Sequence, residues 1–179
     1  MGQIRPHPPV LLIIGAFSRY DDVLDWAAEA TQRIWGTICL SSPRFNFDQT
    51  TFYERSMGQG LRKTFWAFEP LIDPAEIAQI KLQTNELEAA CPQQTTLPEE
   101  RPLNLDPGYI SEAKLVLATT KDRDHRIYLQ KGIYCEGTLF YHKGQWRSRP
   151  WTYPDYQTSE YHRFFDQCRA HLRKRYHGN

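Results

Sequence analysis

Three short blocks between residues 104 and 156 contain most of the side chains that could do chemistry. They combine carboxylates, an amide, an imidazole, a guanidinium and phenols with turn-forming Pro and Gly. Packing alone would require apolar residues at a regular period, whereas this mixture is typical of loops at a binding site. We therefore predict a site whose acid–base residues are Asp106, His125 and Glu136 and whose ligand-binding residues are Asn104, Tyr109, Lys121, Arg126, Tyr128, Trp151, Tyr153 and Asp155.

The second block, residues 119–129, has the composition of an anion site. Lys121 and Arg126 supply hydrogen-bond donors without acceptors, and an arginine can contact a carboxylate or phosphate through two parallel bonds. His125 could exchange protons near neutral pH. The alternative is that these charges are solvated in a surface loop.

The first block, residues 104–109, has two interpretations. Asp106 followed by Pro107 and Gly108 has the composition of a type II turn, which would be a purely structural role. The functional alternative is that this turn directs Asp106 and Tyr109 into a cleft at a strand end. Asn104 would share the face of Asp106 if the strand continues.

Two further groups need partners. Glu136 lies inside a predicted strand, where a carboxylate requires a cation, and both a structural ion pair and an active-site acid remain open. Lys81, Asn85 and Glu88 fall at positions i, i+4 and i+7 of a predicted helix. This spacing predicts a hydrogen-bonded helix edge.

Hydrophobic periodicity predicts the elements that carry these blocks. The apolar run at residues 10–16 predicts a buried strand. Asp73, Pro74 and Glu76 match a capping box, which predicts the start of a helix. The first hundred residues therefore predict the order β-α-β-β-α-β, with strands at 10–16, 37–40, 61–68 and 102–105 and helices at 21–35 and 74–91.

The remainder of the chain predicts an extension of this core. Residues 111–119 predict a buried helix, and residues 126–147 predict a meander with turns at Lys131-Gly132 and Lys143-Gly144. A last helix begins near Ser159. We thus predict a single α+β domain, residues 1–179, with a ferredoxin-like (split βαβ) core at about 9–110, extended by a helix, an antiparallel meander and a C-terminal helix at about 111–176.

The bulk composition indicates a soluble globular protein. The 179 residues are 40% hydrophobic and 24% charged, with a net charge of +1, which makes nucleic acid an unfavoured partner. The apolar run at 10–14 is too short to span a membrane, so we predict no membrane association and a cytoplasmic location. Four well-separated cysteines predict reduced, buried thiols: Cys39, Cys91, Cys135 and Cys168.

Several catalytic and cofactor motifs are missing from the sequence. It has no G-x-x-x-x-G-K-[ST] and no G-x-G-x-x-G, which argues against a P-loop or Rossmann site. Neither H-E-x-x-H nor a clustered His/Cys set points to zinc, and we assign no metal ligand. Scattered carboxylates could hold a magnesium ion if the fold gathers them: Glu54, Asp106, Glu136 and Asp155.

The blocks together resemble the bacterial domain-of-unknown-function family 4416. The resemblance extends from about Pro9 to the last helix, and one departure is Ser56, where the family pattern implies an acidic residue. It implies a small stand-alone prokaryotic protein and no established activity. The matching segments are Phe52-Tyr53-Glu54 with Met57-Gly58, the helix segment 81–88, and residues 104–109, 117–122, 125–129 and 151–156.

Our leading functional prediction is an enzyme or ligand-binding protein with a polar cleft for a small anionic molecule, phosphate-bearing or nucleotide-like. Arg126 and Lys121 would hold the anion, Asp106 or Glu136 and His125 would be the groups that exchange protons, and Tyr and Trp side chains would form the walls.

The alternative is a non-catalytic module that presents Trp151, Tyr153 and Tyr156, with the last helix, to a protein partner. A third hypothesis is RNA contact through Arg169 and residues 173–175, which the near-neutral net charge disfavours.

Overall fold

The computed structural model describes residues 2–48, 53–91 and 97–178, and Phe52 of the family-like segment lies outside this part. Within it, nine strands form one antiparallel sheet. The strands are β1 (Val10–Ser18), β2 (Ile38–Ser41), β3 (Phe45–Asn46), β4 (Arg62–Ile72), β5 (Asn104–Ile110), β6 (Lys114–Thr119), β7 (Ile127–Gln130), β8 (Ile133–His142) and β9 (Gln145–Ser148). The helices are α1 (Asp21–Trp35), α2 (Glu54–Met57), α3 (Ile77–Ala90) and α4 (Ser159–His177).

The strands follow the order β2-β4-β1-β5-β6-β8-β7, with β3 paired to β4 and β9 to β8. The apolar strand β1 lies between β4 and β5 and is buried along its whole length. Its central position explains the continuous run of hydrophobic residues, because both faces of the strand are covered.

Helices cover the sheet on both sides. Apolar residues of α1 and α3 pack with Leu12, Ile14 and Phe68 on one face. On the other face, Phe165 and Leu172 of α4 pack with Leu11, Ile13 and Phe65. The structure is therefore a mixed α+β fold with an open antiparallel sheet, which confirms the predicted class.

Local sequence signals placed several boundaries correctly. The Asp73 carboxylate accepts a hydrogen bond from the Ala75 amide, and the Glu76 carboxylate accepts one from the Asp73 amide, completing the predicted capping box. A short 3-10 turn, Pro74–Glu76, leads from this cap into α3. Lys131 and Lys143 have positive φ and precede glycines with positive φ, as the two predicted hairpin turns require.

The prediction of a turn at residues 106–108 was wrong. These residues lie within β5, which runs without interruption from Asn104 to Ile110. The pairing with β6 begins at Gly108, so Pro107 lies beyond the end of that ladder and its missing N–H costs no bond there. Gly108 is needed because a Cβ atom at this position would lie 2.3 Å from the Val116 carbonyl oxygen.

The predicted helix at residues 111–119 was also wrong. Residues 114–119 form β6, which pairs with β5 and β8. Leu115 and Leu117 pack on the α4 side of the sheet, whereas Ala118 packs on the α1 and α3 side. A short apolar run buried on both faces has no period that separates a strand from a helix.

The cysteines are free thiols, but only Cys91 and Cys168 are buried, and Cys39 and Cys135 are half-buried. None of the described helices combines the length and the apolar character that crossing a membrane requires.

Candidate functional site

Charged side chains from all three blocks lie at one end of the sheet. Because neighbouring strands are antiparallel, β1 and β6 finish at this end and β4, β5 and β8 start there. We call this region the polar end and define it by Lys63, Asn104, Asp106, Lys121, Arg126, Glu136 and Asp155. It contains three connected groups of hydrogen bonds and ion pairs.

Glu136 is the centre of the first group. One of its carboxylate oxygens, Oε2, accepts a hydrogen bond from Arg126 Nε at 2.8 Å and lies 3.2 Å from His125 Nε2. The other oxygen accepts a bond from the Thr138 hydroxyl at 3.2 Å. Glu136 is 3% exposed, so this carboxylate has the partners that its burial requires.

The Arg126 guanidinium is hydrogen-bonded to other groups of the protein. Besides Glu136, its guanidinium donates to the Lys121 carbonyl oxygen at 2.9 Å and to the Tyr153 hydroxyl at 3.3 Å. Glu136 and Tyr153 raise the pKa of Arg126 against the opposing effect of burial. The predicted anion-binding arginine is therefore mainly the partner of a buried carboxylate.

His125 is fixed by stacking as well as by hydrogen bonds. Its ring lies on Trp151 with centroids 5.1 Å apart and planes 12° apart, and Trp151 Nε1 donates to the Gly137 carbonyl oxygen at 3.2 Å. His125 Nδ1 lies 3.1 Å from the Asp124 carboxylate. The imidazole thus stands between two carboxylates, a position in which it could exchange a proton.

Lys63 and Asp155 form the second group, a buried ion pair. Lys63 Nζ donates to Asp155 Oδ2 at 2.8 Å, and the two residues are 2% and 6% exposed. The ammonium also lies 4.4 Å from the centroid of Tyr156 and within 5.7 Å of four other rings, those of Phe17, Phe47, Phe65 and Tyr161. These ring faces stabilise the cation further.

The third group joins α3 to the start of β5. Lys81 Nζ donates to the Leu105 carbonyl oxygen at 2.8 Å and lies 3.8 Å from the Asp106 carboxylate. Glu88 accepts from Arg101 at 2.7 Å and from the Leu105 amide at 2.7 Å. Lys81 and Glu88 therefore do more than line a helix edge, because they anchor the strand that carries Asp106.

Two buried donors of the polar end make no hydrogen bond within the part of the chain that the structure describes. They are Asn104 Nδ2 and the Tyr156 hydroxyl, and each residue is 3% exposed. The oxygen of the Asn104 amide accepts a bond from Arg101. A buried donor without an acceptor is costly, which makes these two atoms candidates for contact with a ligand.

Electrostatic effects connect the three groups. Burial, and then the charges of Asp106, Asp155 and Glu136, raise the pKa of Tyr156 well above its ordinary value. Tyr156 therefore stays protonated and can donate. Partial burial and then Arg101 lower the pKa of Lys121, with further contributions from Arg126 and Arg123, whereas Asp106 raises it.

Two predicted ligand-binding residues lie away from the polar end. Tyr109 packs against the α1 and α3 core, on the face of β5 opposite Asp106, because successive side chains of a strand alternate. Tyr128 is exposed on the edge strand β7, where its ring contacts that of Tyr134. The structure therefore does not bring these two residues together with the others at the polar end.

The other predicted site residues have mixed environments. Trp151 and Tyr153 are partly exposed, whereas Tyr156 is buried, so the three aromatics do not form one surface for a protein partner. The four scattered carboxylates are not gathered around a shared point in the described residues. Glu136 and Asp155 have their own cations, and Glu54 accepts from Gln59 instead.

Sequence reasoning missed Lys63 and Arg101. Lys63 had a readable signal, since a lysine within the apolar, aromatic strand β4 should be paired if it points inward. Arg101 had none, because its partners Glu88 and Asn104 become neighbours only when α3 packs beside β5.

A protein-family model matches this chain. The family model described as "Domain of unknown function (DUF4416)" matches residues 8–172, which confirms the resemblance seen in the sequence blocks. No curated protein and no solved structure matches. Because the match covers nearly the whole chain, the protein belongs to the DUF4416 family.

Proposed function

We propose that the polar end binds a small anionic molecule, phosphate-bearing or nucleotide-like. The observation that carries this proposal is two buried donors, Asn104 Nδ2 and the Tyr156 hydroxyl, that have no acceptor among the residues the structure describes. The Asn104 amide lies beside Arg101, whose charge also acts on Lys121. Such donors are satisfied by a ligand that brings acceptor oxygens. A phosphate or carboxylate brings several, together with the negative charge that the cations favour.

The contacts within the polar end suggest separate roles for its residues. Lys121 would contact the anion, with Arg101 close by, and Asn104 and Tyr156 would donate to its oxygens. Asp106 is 31% exposed in its side chain and has a long, 3.8 Å contact to Lys81, so it could accept a proton or bind a ligand hydroxyl.

The roles of the Glu136 group differ from those of the direct contacts. Glu136 and Arg126 bond to each other, and they also contact His125 and Tyr153 respectively, so we propose that they position those two side chains. His125 remains the candidate for proton exchange, since it lies between Glu136 and Asp124.

A thermal-shift titration with inorganic phosphate, a nucleoside triphosphate and a sugar phosphate tests the proposal. We expect at least one of the three to raise the melting temperature, because a ligand that binds only the folded state stabilises it by mass action. Lys121→Ala should weaken that binding about tenfold to a hundredfold, since a hydrogen bond to a charged group contributes about 1.5–3 kcal/mol.

Lys114→Ala is the matched control, because Lys114 is an exposed lysine at the start of β6, whereas Lys121 lies two residues beyond the other end of that strand. Asp106→Asn tests the acid–base role separately from anion contact. The proposal fails if none of the three compounds shifts the melting temperature, or if Lys121→Ala and Lys114→Ala respond alike.

We also propose that β1, α1, β2, β4, α3 and β5 form a ferredoxin-like core within a single domain. Its support is the order β2-β4-β1-β5, antiparallel throughout, with α1 and α3 on the same face, which is the arrangement of a split βαβ unit. The sheet continues from this core through β6 to β8. Limited proteolysis that releases a stable fragment ending near residue 110 would contradict the single domain.

A further inference from the structure

A second polar cluster lies at the opposite end of the sheet from Lys63. Cys39 of β2, Glu69 of β4 and His171 of α4 bring their ligand atoms, one from each residue, within 4.8 Å of one another. Glu69 and Lys63 are six residues apart on β4, which corresponds to about 20 Å along a strand. The cluster is therefore separate from the polar end, and nothing in the proposed anion site accounts for it.

The geometry of each side chain leaves an atom available to a metal. His171 Nε2 lies 3.4 Å from Glu69 Oε2, yet this nitrogen is shielded from solvent and makes no hydrogen bond among the residues described. The other Glu69 oxygen, Oε1, accepts from Arg175, which orients the carboxylate and leaves Oε2 toward His171. Cys39 Sγ lies 3.4 Å from the Ala67 carbonyl oxygen, a weak contact, and also interacts with the Glu69 carboxylate.

We propose that Cys39, Glu69 and His171 bind a divalent transition-metal ion, with zinc as the best match. A thiolate, an imidazole and a carboxylate are the three side-chain types that zinc prefers, and tetrahedral coordination brings such atoms within the separations seen here. Sulfur and nitrogen ligands disfavour magnesium and calcium, which select oxygen. On binding, the thiol proton passes to solvent and a sulfur–metal bond forms.

The cluster is half-buried, so an ion can enter from solvent, and three protein ligands leave a fourth position for water. The site joins two neighbouring strands to the C-terminal half of α4. The sequence contains no motif for this site because its three ligands come from β2, β4 and α4, which meet only in the folded protein.

Cobalt is the probe that tests the site, since Co²⁺ replaces Zn²⁺ and reports sulfur ligation by its absorption spectrum. Titration of the reduced, metal-free full chain should give one Co²⁺ per chain. We expect a sulfur-to-cobalt charge-transfer band with tetrahedral d–d bands, displaced by stoichiometric Zn²⁺. Zn²⁺ at about a hundredfold excess over its dissociation constant should raise the melting temperature by about 5–10 °C.

Variants identify the ligands. Cys39→Ser should abolish the charge-transfer band, and Glu69→Gln, which keeps the shape of the side chain, should weaken metal binding at least about tenfold. Cys135→Ser is the matched control, because Cys135 is also a half-buried thiol on a strand but lies outside the cluster, and it should bind as the unchanged protein does.

Three results would overturn the assignment: no charge-transfer band at equimolar Co²⁺, a band that survives in Cys39→Ser, or equal loss of binding in Cys135→Ser. If circular dichroism shows that Cys39→Ser does not fold, the Zn²⁺ affinity of Glu69→Gln becomes the test. An unchanged Zn²⁺ affinity in Glu69→Gln would then reject the proposed site. An intact metal site with no response to phosphate compounds would reject only the anion proposal, so the two failures are distinguishable.

Discussion

Replacement of Lys63 by Met should strongly destabilise the protein. Met fills nearly the same volume and preserves the contact with the surrounding rings, so the substitution mainly removes the ammonium. Asp155, 6% exposed and bonded to Lys63 at 2.8 Å, would then be a buried charge without its cation. Loss of one partner of a buried pair costs about 3–5 kcal/mol.

The size of the effect is measurable by urea unfolding and by calorimetry. For a chain of this length each kcal/mol corresponds to about 2–4 °C, so the melting temperature should fall by about 6–20 °C. The double variant Lys63→Met with Asp155→Asn removes both charges. Its loss in free energy of unfolding should therefore be smaller, by about 2 kcal/mol or more, than the sum of the losses in the two single variants.

The exposed pair Glu29–Arg33 is the matched control. Its atoms are 3.8 Å apart and its side chains are 72% and 64% exposed, so Arg33→Met should change the free energy of unfolding by less than about 0.5 kcal/mol. The reasoning is refuted if Lys63→Met costs no more than this control, or if the effects of the Lys63 and Asp155 substitutions simply add.

Three further predictions concern single side chains. Tyr156→Phe removes a buried hydroxyl that has no acceptor among the described residues, and it should raise the free energy of unfolding by about 1 kcal/mol in urea titrations; a decrease would show that the hydroxyl has a partner. Burial raises the pKa of Glu88 above its ordinary value although Lys81 and Arg101 oppose it, so its contribution to stability is present at low pH and is lost as pH rises through the raised pKa. The stability of the unchanged protein relative to Glu88→Gln should accordingly fall as the pH rises above the ordinary pKa of a glutamate, about 4.3, and a rising difference would contradict this. Asp73→Ala removes the helix cap and should cost about 1 kcal/mol in the same urea assay, whereas no change would mean that the cap is dispensable.

Local signals explain which elements could be predicted from the sequence. The α3 cap depends on Asp73, Pro74 and Glu76, which interact with one another within a single turn, so their spacing is sufficient. The meander turns likewise depend on adjacent residues. Strand β6 has no such signal, because it is stabilised by β5 and β8 on either side, and pairing between distant segments leaves no trace in its four-residue apolar run, 115–118.

The candidate site divides in the same way. The blocks around Asp106, Glu136 and Asp155 could be recognised by their composition, because core packing alone would require apolar residues at a regular period. The pairing of Asp155 with Lys63 did not follow from composition, since these two residues meet only through sheet register and the packing of the segment before α4. Pro107 and Gly108 also suggested a turn, whereas both lie within β5 and Gly108 permits the close approach of β6.

Helix α4 gives the two proposed sites a mechanical connection. Asp155 lies just before its first turn at one end of the sheet, and His171 lies on its last turns at the other, along a helix of about 28 Å. A packed helix moves as a rigid rod rather than bending freely. If a bound metal changes the affinity of the protein for an anion by some factor, the bound anion must change the affinity for the metal by the same factor.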